Sequence, residues 1–210
     1  MKKLILVRHA ESQWNTIGRY QGRIDTDLSP AGGEQILRLE KIFSSIPVDI
    51  IFSSPLVRAK KTAAAVAKFS HVPVTIDDRL SEIHHGEWQG LYTYNVERTY
   101  PEILSLWKTK PWVVQMPGGE HFFDVVRRVQ DIYSNIVRRH ESIICVVSHD
   151  VILRLFLILL LSLPYEDFWR FSLDNASVTE ISYNDVPSII SFNKTVHLKG
   201  VQSHVSIQAL

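Results

Sequence analysis

The chain has 210 residues, 45% of them apolar and 21% charged, with a net charge of +1. That length can bury a sizeable core, and the even charge balance excludes a protein steered as a whole toward nucleic acid or an anionic membrane. Cys145 is the one cysteine, which excludes an intramolecular disulfide and fits a reducing compartment. Met-Lys-Lys followed by four apolar residues is too short for a signal peptide. The longest apolar run, Val151 to Leu163, falls short of the ~20 residues that span a bilayer and reads as a buried helix. The expected location is cytoplasmic.

Leu4-Ile5-Leu6-Val7 is a continuous apolar run, the pattern of a strand buried on both faces. It breaks directly into Arg8-His9-Ala10-Glu11-Ser12. A long polar loop, Ser12 to Ser29, follows without periodicity, as functional loops do. Ser29-Pro30 predicts a helix start, with Ser29 as N-cap, Pro30 at the first position and Glu34 in the first turn, running to about Ile46. Asp49 to Ser54 predicts a second buried strand, with a helix over about 56–69 after it. This alternation indicates a parallel sheet with right-handed crossovers. Val74 to Ile76 is a brief third run, and Leu80 to Ile83 leads into His84-His85-Gly86.

Residues 92–117 read as an insertion rich in Tyr and Trp, with a helix over about 95–108. A long helix is predicted over about 122–139 and a buried strand over 142–148, ending in Ser148-His149-Asp150. The apolar helix of 151–163 follows. From Ala176 on, alternating runs suggest antiparallel or edge strands, whose Val, Ile and Phe residues would suit a homodimer. No repeat or linker divides residues 1–210, so a single domain is expected.

Three buried strands thus end in polar clusters: Arg8-His9, Ser53-Ser54 with Arg58 following, and Ser148-His149. In a parallel sheet these ends share one edge, where ligands of open α/β sheets bind. Two histidines and two arginines there suit phosphoryl transfer. Guanidinium groups grip phosphate oxygens and stabilise their charge, and an imidazole with one free nitrogen can be a covalent nucleophile. No HExxH, Cys-His cluster or aspartate-rich run calls for a metal.

Arg8-His9-Ala10-Glu11-Ser12 with Trp14-Asn15 resembles the R-H-G-E-[ST]-x-W-N signature of the histidine phosphatase superfamily, the phosphoglycerate-mutase-like proteins. The likeness continues in Tyr20-Gln21-Gly22, Asp27-Leu28-Ser29, Ser53-Ser54-Pro55-Leu56 with Arg58 and Thr62, Glu82 with Gly86 and Trp88, Pro117-Gly118-Gly119-Glu120, and Val147-Ser148-His149. These motifs fall in family order from residue 4 to about 160. The resemblance implies a three-layer α/β/α fold, mostly parallel, with helices on both faces of the sheet and a small helical insertion over the active site.

The resemblance also implies roles. His9 would form a phosphohistidine, and Arg8, Arg58 and His149 would make the phosphate pocket. Glu82 would be general acid and then general base, its pKa raised beside phosphate oxygens. Asn15, Gln21 and Gly22 match loop positions that contact phosphate or substrate. His85 is either a packed structural histidine or a substrate-facing one.

Ala10 stands where glycine is usual and either crowds the phosphate or fills space. Asp150 follows His149 where a small or polar residue is common; it would either repel phosphate or cap the next helix. Mutases of the family carry longer insertions, so this length indicates a metal-independent phosphomonoesterase with no cofactor, acting on a small phosphorylated metabolite. Glu82 to Gly86, Phe168-Trp169-Arg170-Phe171 and Asp174-Asn175-Ala176-Ser177 resemble the metal-independent phosphoserine phosphatases. A cofactor-dependent phosphoglycerate mutase and an α-ribazole or broad-specificity phosphatase are the alternatives.

Overall fold

The sheet is organised by the alternation of its strands. In the first strand, β1 (Lys3–Arg8), Leu4 and Leu6 pack into one apolar cluster and Ile5 and Val7 into another, because successive side chains point to opposite faces. Each face therefore needs a helical layer. A computed structural model describes residues 2–183, 186–203 and 208–209.

After β1 the described elements are α1 (Pro30–Phe43), β2 (Ile50–Ser53), α2 (Val57–Ala67), β3 (Val74–Ile76), α3 (Thr93–Thr99), α4 (Pro101–Thr109), α5 (Phe122–Val137), β4 (Ile143–Ser148), α6 (Asp150–Leu160), β5 (Val178–Ser182) and β6 (Ser188–Lys194). The strand order is β3-β2-β4-β1-β5-β6. The first four run parallel, whereas β5 and β6 are antiparallel to their neighbours. Leu39, Phe43, Ala59, Ala63 and Val66 of α1 and α2 cover one face. Val125, Val129 and Ile132 of α5 and Ile152 and Phe156 of α6 cover the other. This is the expected three-layer α/β/α arrangement. Cys145 is fully buried in the cluster of Ile5 and Val7, and burial pushes its thiol pKa up.

The start of α1 matches the sequence expectation at Ser29 and Pro30: the Ser29 Oγ accepts from the Gly32 N–H at 2.9 Å. Glu34, however, lies beyond the first turn. An acid does meet this cap from elsewhere, since the Ser29 hydroxyl donates to Glu11 Oε1 at 2.6 Å. The helix expected over 95–108 is two helices, α3 and α4. Pro101 opens the second and cannot donate an N–H, so Tyr100 leaves the helical region (φ −130°, ψ 48°) and the axis breaks there. α6 begins at Asp150, one residue earlier than expected, and its N-cap is His149 rather than Asp150. β6 is an edge strand with Ile189, Ile190 and Phe192 exposed. Among the described residues no helix is long and apolar enough to cross a membrane.

Candidate active site

The parallel register brings the strand ends level: Arg8 pairs with Ser148, and Ser53 with Val147. Backbone bonds carry the order one residue further, from His9 N to Ser148 O (2.9 Å) and from Ser54 N to Val147 O (3.1 Å). His9 and His149 therefore face each other with ring centroids 5.0 Å apart. His9 Nδ1 lies 2.8 Å from the Ala10 carbonyl. A carbonyl only accepts, so Nδ1 carries the proton and Nε2 holds the lone pair. Burial, then the charges of Arg58 and Arg8, hold His9 well below the ordinary imidazole pKa. Burial and the same arginines do so for His149, whose Nε2 meets the Ser54 hydroxyl at 2.7 Å. Both rings are neutral at neutral pH.

Arg8 and Arg58 are each 1% exposed. Arg58 is aimed by the polar loop, donating to the Gly22 carbonyl at 2.8 Å and the Ile24 carbonyl at 3.2 Å. Gly22 is required there: its φ is +52°, and a Cβ would lie 2.3 Å from Gln89 Oε1. Arg8 donates to the Leu173 carbonyl at 2.5 Å and to Gln208 Oε1 at 2.6 Å. The Nε of each arginine is buried without a partner, as are Nδ1 of His149 and Nδ1 of His85. The two guanidinium Nε–H groups left open in this way are suited to the oxygens of an anion.

Asp150 acts differently from either sequence reading. It does not cap α6 with its side chain. Its carboxylate instead binds Arg154 one turn on (2.6 Å) and lies 3.7 Å from Arg8. Two guanidinium groups neutralise it, and it orients Arg8 rather than opposing an anion. Ala10 is fully buried among apolar residues of the core and its N–H donates to Thr62 Oγ1. Its methyl fills space.

Glu82 is 8% exposed. Its carbonyl is gripped by Arg23 (3.3 Å) and Arg128 (3.2 Å), and Arg128 also holds the carbonyls of Arg79 and Ser81. The next turn is locked by close backbone approach: a Cβ on Gly86 (φ +57°) would meet the Pro117 carbonyl at 1.9 Å. Burial raises the Glu82 carboxyl to about 7. A hydrogen bond from the Ile83 N–H and the nearby Arg58 and Arg128 oppose that rise, and Asp150 adds to it. Near neutral pH this group can both give and take a proton.

Arg8, His9, Asn15, Gln21, Gly22, Arg58, Glu82 and His85 all line one pocket; His149 is fully buried next to it, its ring 5.0 Å from that of His9, and does not itself line the free space. The loop motif thus joins the strand ends. His85 does both things the sequence left open. It lines the pocket and it is packed, edge-on to Tyr20 (5.2 Å) and Trp107 (5.8 Å) and stacked with Trp88 (6.1 Å). Burial lowers its pKa to about 3, so the ring is neutral. Among the described residues no three His, Cys, Asp or Glu side chains are grouped to hold a metal ion.

Residues 4–194 match the histidine phosphatase superfamily, branch 1. The chain belongs to that superfamily. It is 40% identical over 211 residues to phosphoserine phosphatase 1 of Hydrogenobacter thermophilus, covering 99% of this chain and 100% of the relative. It is 32% identical over 204 residues to the metal-independent phosphoserine phosphatase of Arabidopsis thaliana, covering 95% and 84%. The solved structure of Bacillus stearothermophilus YhfR superposes with a TM-score of 0.87 at 28% identity, covering 94% and 100%.

In this histidine phosphatase the sequence motifs miss one wall of the pocket. Gln208 Oε1 accepts from both Arg8 Nη2 and Asn15 Nδ2 (3.2 Å), and its amide N–H donates to Asn175 Oδ1 at 2.6 Å. Asn175 in turn donates to the His9 carbonyl at 3.0 Å. Ala209 lines the pocket too. With the tail seated the free volume is about 20 Å³, room for about one water molecule. Asn175 belongs to the Asp174–Ser177 segment, which resembles the metal-independent phosphoserine phosphatases, but Gln208 is a single amide with no motif around it.

Proposed function

We propose that this phosphatase hydrolyses small phosphomonoesters, phosphoserine first among them, through a phosphohistidine on His9 and without a metal ion. In the first step His9 Nε2 attacks phosphorus and the bond from phosphorus to the alcohol oxygen breaks. Glu82, protonated, gives its proton to that oxygen. In the second step the Glu82 carboxylate takes a proton from water and the oxygen attacks phosphorus. The phosphorus–nitrogen bond then breaks, leaving inorganic phosphate and neutral His9.

Arg8, Arg58 and His149 hold the phosphoryl oxygens throughout, so charge building up in flight meets donors already in position. Asn15, Gln21 and Gly22 contribute the loop side of that cradle, and His85 faces the leaving alcohol. The observation that carries this reading is the pairing of a neutral His9, its Nε2 unprotonated, with two buried guanidinium groups and a carboxyl at about 7 in the same pocket.

Phosphoserine is favoured because relatives covering nearly the full chain carry that activity in their names. Purified protein with chelator should release phosphate from O-phosphoserine well above the rate from p-nitrophenyl phosphate. Equal rates would remove the substrate assignment. A coupled enolase signal from 3-phosphoglycerate, with a trace of 2,3-bisphosphoglycerate and little free phosphate, would make the enzyme a mutase instead. The single cysteine supports a cytoplasmic setting. The exposed apolar edge of β6 supports a homodimer, and a monomer mass in sedimentation at micromolar protein would refute it.

A further inference from the structure

A second concave site lies away from the catalytic pocket and shares none of its lining residues. It is a groove of about 640 Å³ between α1 and the segment that follows β6. Arg38 and Lys41, one turn apart on α1, form one bank. Lys194, His197 and Lys199 form the other. Ile42 and Ile46 make an apolar floor, and Val196, 84% exposed, stands at its lip.

Among the described residues no carboxylate lines this groove, although ion pairs are spread over the rest of the surface. Among the described residues neither Arg38, Lys41 nor Lys199 has an acidic partner. Lys194 reaches only Glu180 at 3.6 Å, and that carboxylate is already held by Lys3 at 2.9 Å. Burial keeps His197 below the ordinary imidazole pKa, so the standing charge is that of the four Lys and Arg side chains. Four cations gathered around one concavity repel one another and focus a positive field into it, in a chain whose net charge is only +1.

We propose that this groove is a binding site for a multiply phosphorylated small molecule that bears an apolar or aromatic part, the chemistry of a nucleoside polyphosphate. Clustered phosphates match three to four cations in one cleft, and Lys and Arg are the residues that take them. The Ile42–Ile46 floor offers the apolar part a dry contact. The volume falls within the ~300–1,000 Å³ range of small-molecule sites. The groove wall is also tied to the catalytic strand. His197 Nε2 bonds the Ala176 carbonyl at 3.1 Å, and the Ala176 N–H donates to the carbonyls of Arg8 (3.0 Å) and His9 (3.2 Å).

The proposal is independent of the substrate assigned above. Its test is a calorimetric titration of the intact protein with inorganic tripolyphosphate and, in parallel, with a nucleoside triphosphate. One equivalent should bind, the nucleotide more tightly than tripolyphosphate. R38E/K41E/K199E should weaken binding by ~30-fold or more, with phosphate release from phosphoserine and the melting temperature unchanged. R38Q/K41Q/K199Q serves if the reversed variant does not fold. Backbone amide resonances of residues 194–199 and of Ala176 should shift on titration in the parent protein and stay still in the variant. Arg58→Ala, which damages the catalytic pocket, should retain the affinity. Unchanged affinity in both charge variants, or loss of binding in Arg58→Ala, would overturn the site. Equal affinity for the nucleotide and tripolyphosphate would overturn the apolar part of the assignment.

Discussion

The phosphate end of the pocket and the cover above it are built by different means. At the phosphate end, Arg8, His9, Arg58 and His149 are all at most 3% exposed and follow directly from three adjacent parallel strands. The hydrogen bonds that order them run along strand ends and through the Gly22 turn. The cover is assembled from distant pieces: Tyr20, the His85–Trp88 turn, Trp107 of α4 and the tail at Gln208 and Ala209. Its contacts are stacked and edge-on rings and one amide, and the Arg8–Gln208 bond joins residues 200 positions apart. Under the proposed mechanism the first region sets the reaction and the second selects the alcohol. Substitutions in the two regions should therefore fail in different ways.

The largest effect falls at the nucleophile. His9→Ala should lower kcat by at least ~10⁴-fold for every phosphomonoester and abolish acid-labile labelling from a phosphorylated substrate. Surviving turnover would take His9 out of the role. Glu82→Gln comes next, with an expected loss of ~10²–10⁴-fold in kcat. Glu82 gives up its proton as pH rises through about 7, so leaving-group protonation in the parent enzyme should decline above that point. The glutamine variant should lack this limb.

Stability supplies an independent check on Glu82. A carboxyl whose folded pKa is raised from 4.5 to about 7 costs stability as pH rises between those values, because the unfolded chain releases the proton first. Glu82→Gln should therefore be more stable than the parent above pH 7, by up to ~3 kcal/mol. Equal chemical denaturation midpoints at pH 8 would show that the carboxyl is not strained in the folded state.

The cover should fail selectively. His85→Ala removes a ring lodged between Tyr20, Trp88 and Trp107. Its kcat/KM for phosphoserine should fall by ~10–100-fold, while the rate with p-nitrophenyl phosphate changes little. Equal losses on both substrates would merge the two regions into one catalytic unit.

The same division explains what the sequence made legible. Arg8, His9, Arg58 and His149 could be located because unbroken apolar runs mark buried strands, and parallel strands share an edge. Glu82 follows no such run; it lies between short 3₁₀ turns (Asp78–Leu80 and Gly86–Trp88), where no periodicity identifies it, and only resemblance singled it out. Asp150 departs from both sequence expectations because the N-cap preference of aspartate is a local rule. An arginine four residues on, Arg154, was the competing partner, and a buried ion pair took the side chain. The break between α3 and α4 was written in Pro101. The tail contact had no signal, since pairing across 200 residues depends on the finished fold.

Gln208 is where the comparison can be drawn most finely, because it belongs to the cover and touches the phosphate end. Its Oε1 occupies donors of Arg8 and Asn15 that an anionic oxygen could use, and the remaining volume is about 20 Å³. A phosphoryl group that takes these same donor hydrogens must displace this amide. Gln208→Ala frees both donors in the resting enzyme, and one net hydrogen bond of ~1 kcal/mol no longer has to be given up. Inorganic phosphate should then inhibit ~5-fold more tightly. If the tail instead stays seated and meets the alcohol, phosphate inhibition will be unchanged and KM for phosphoserine will rise alone. A tail that both regions ignore would leave both constants where they were, and the boundary between reaction and selection would then lie at His85.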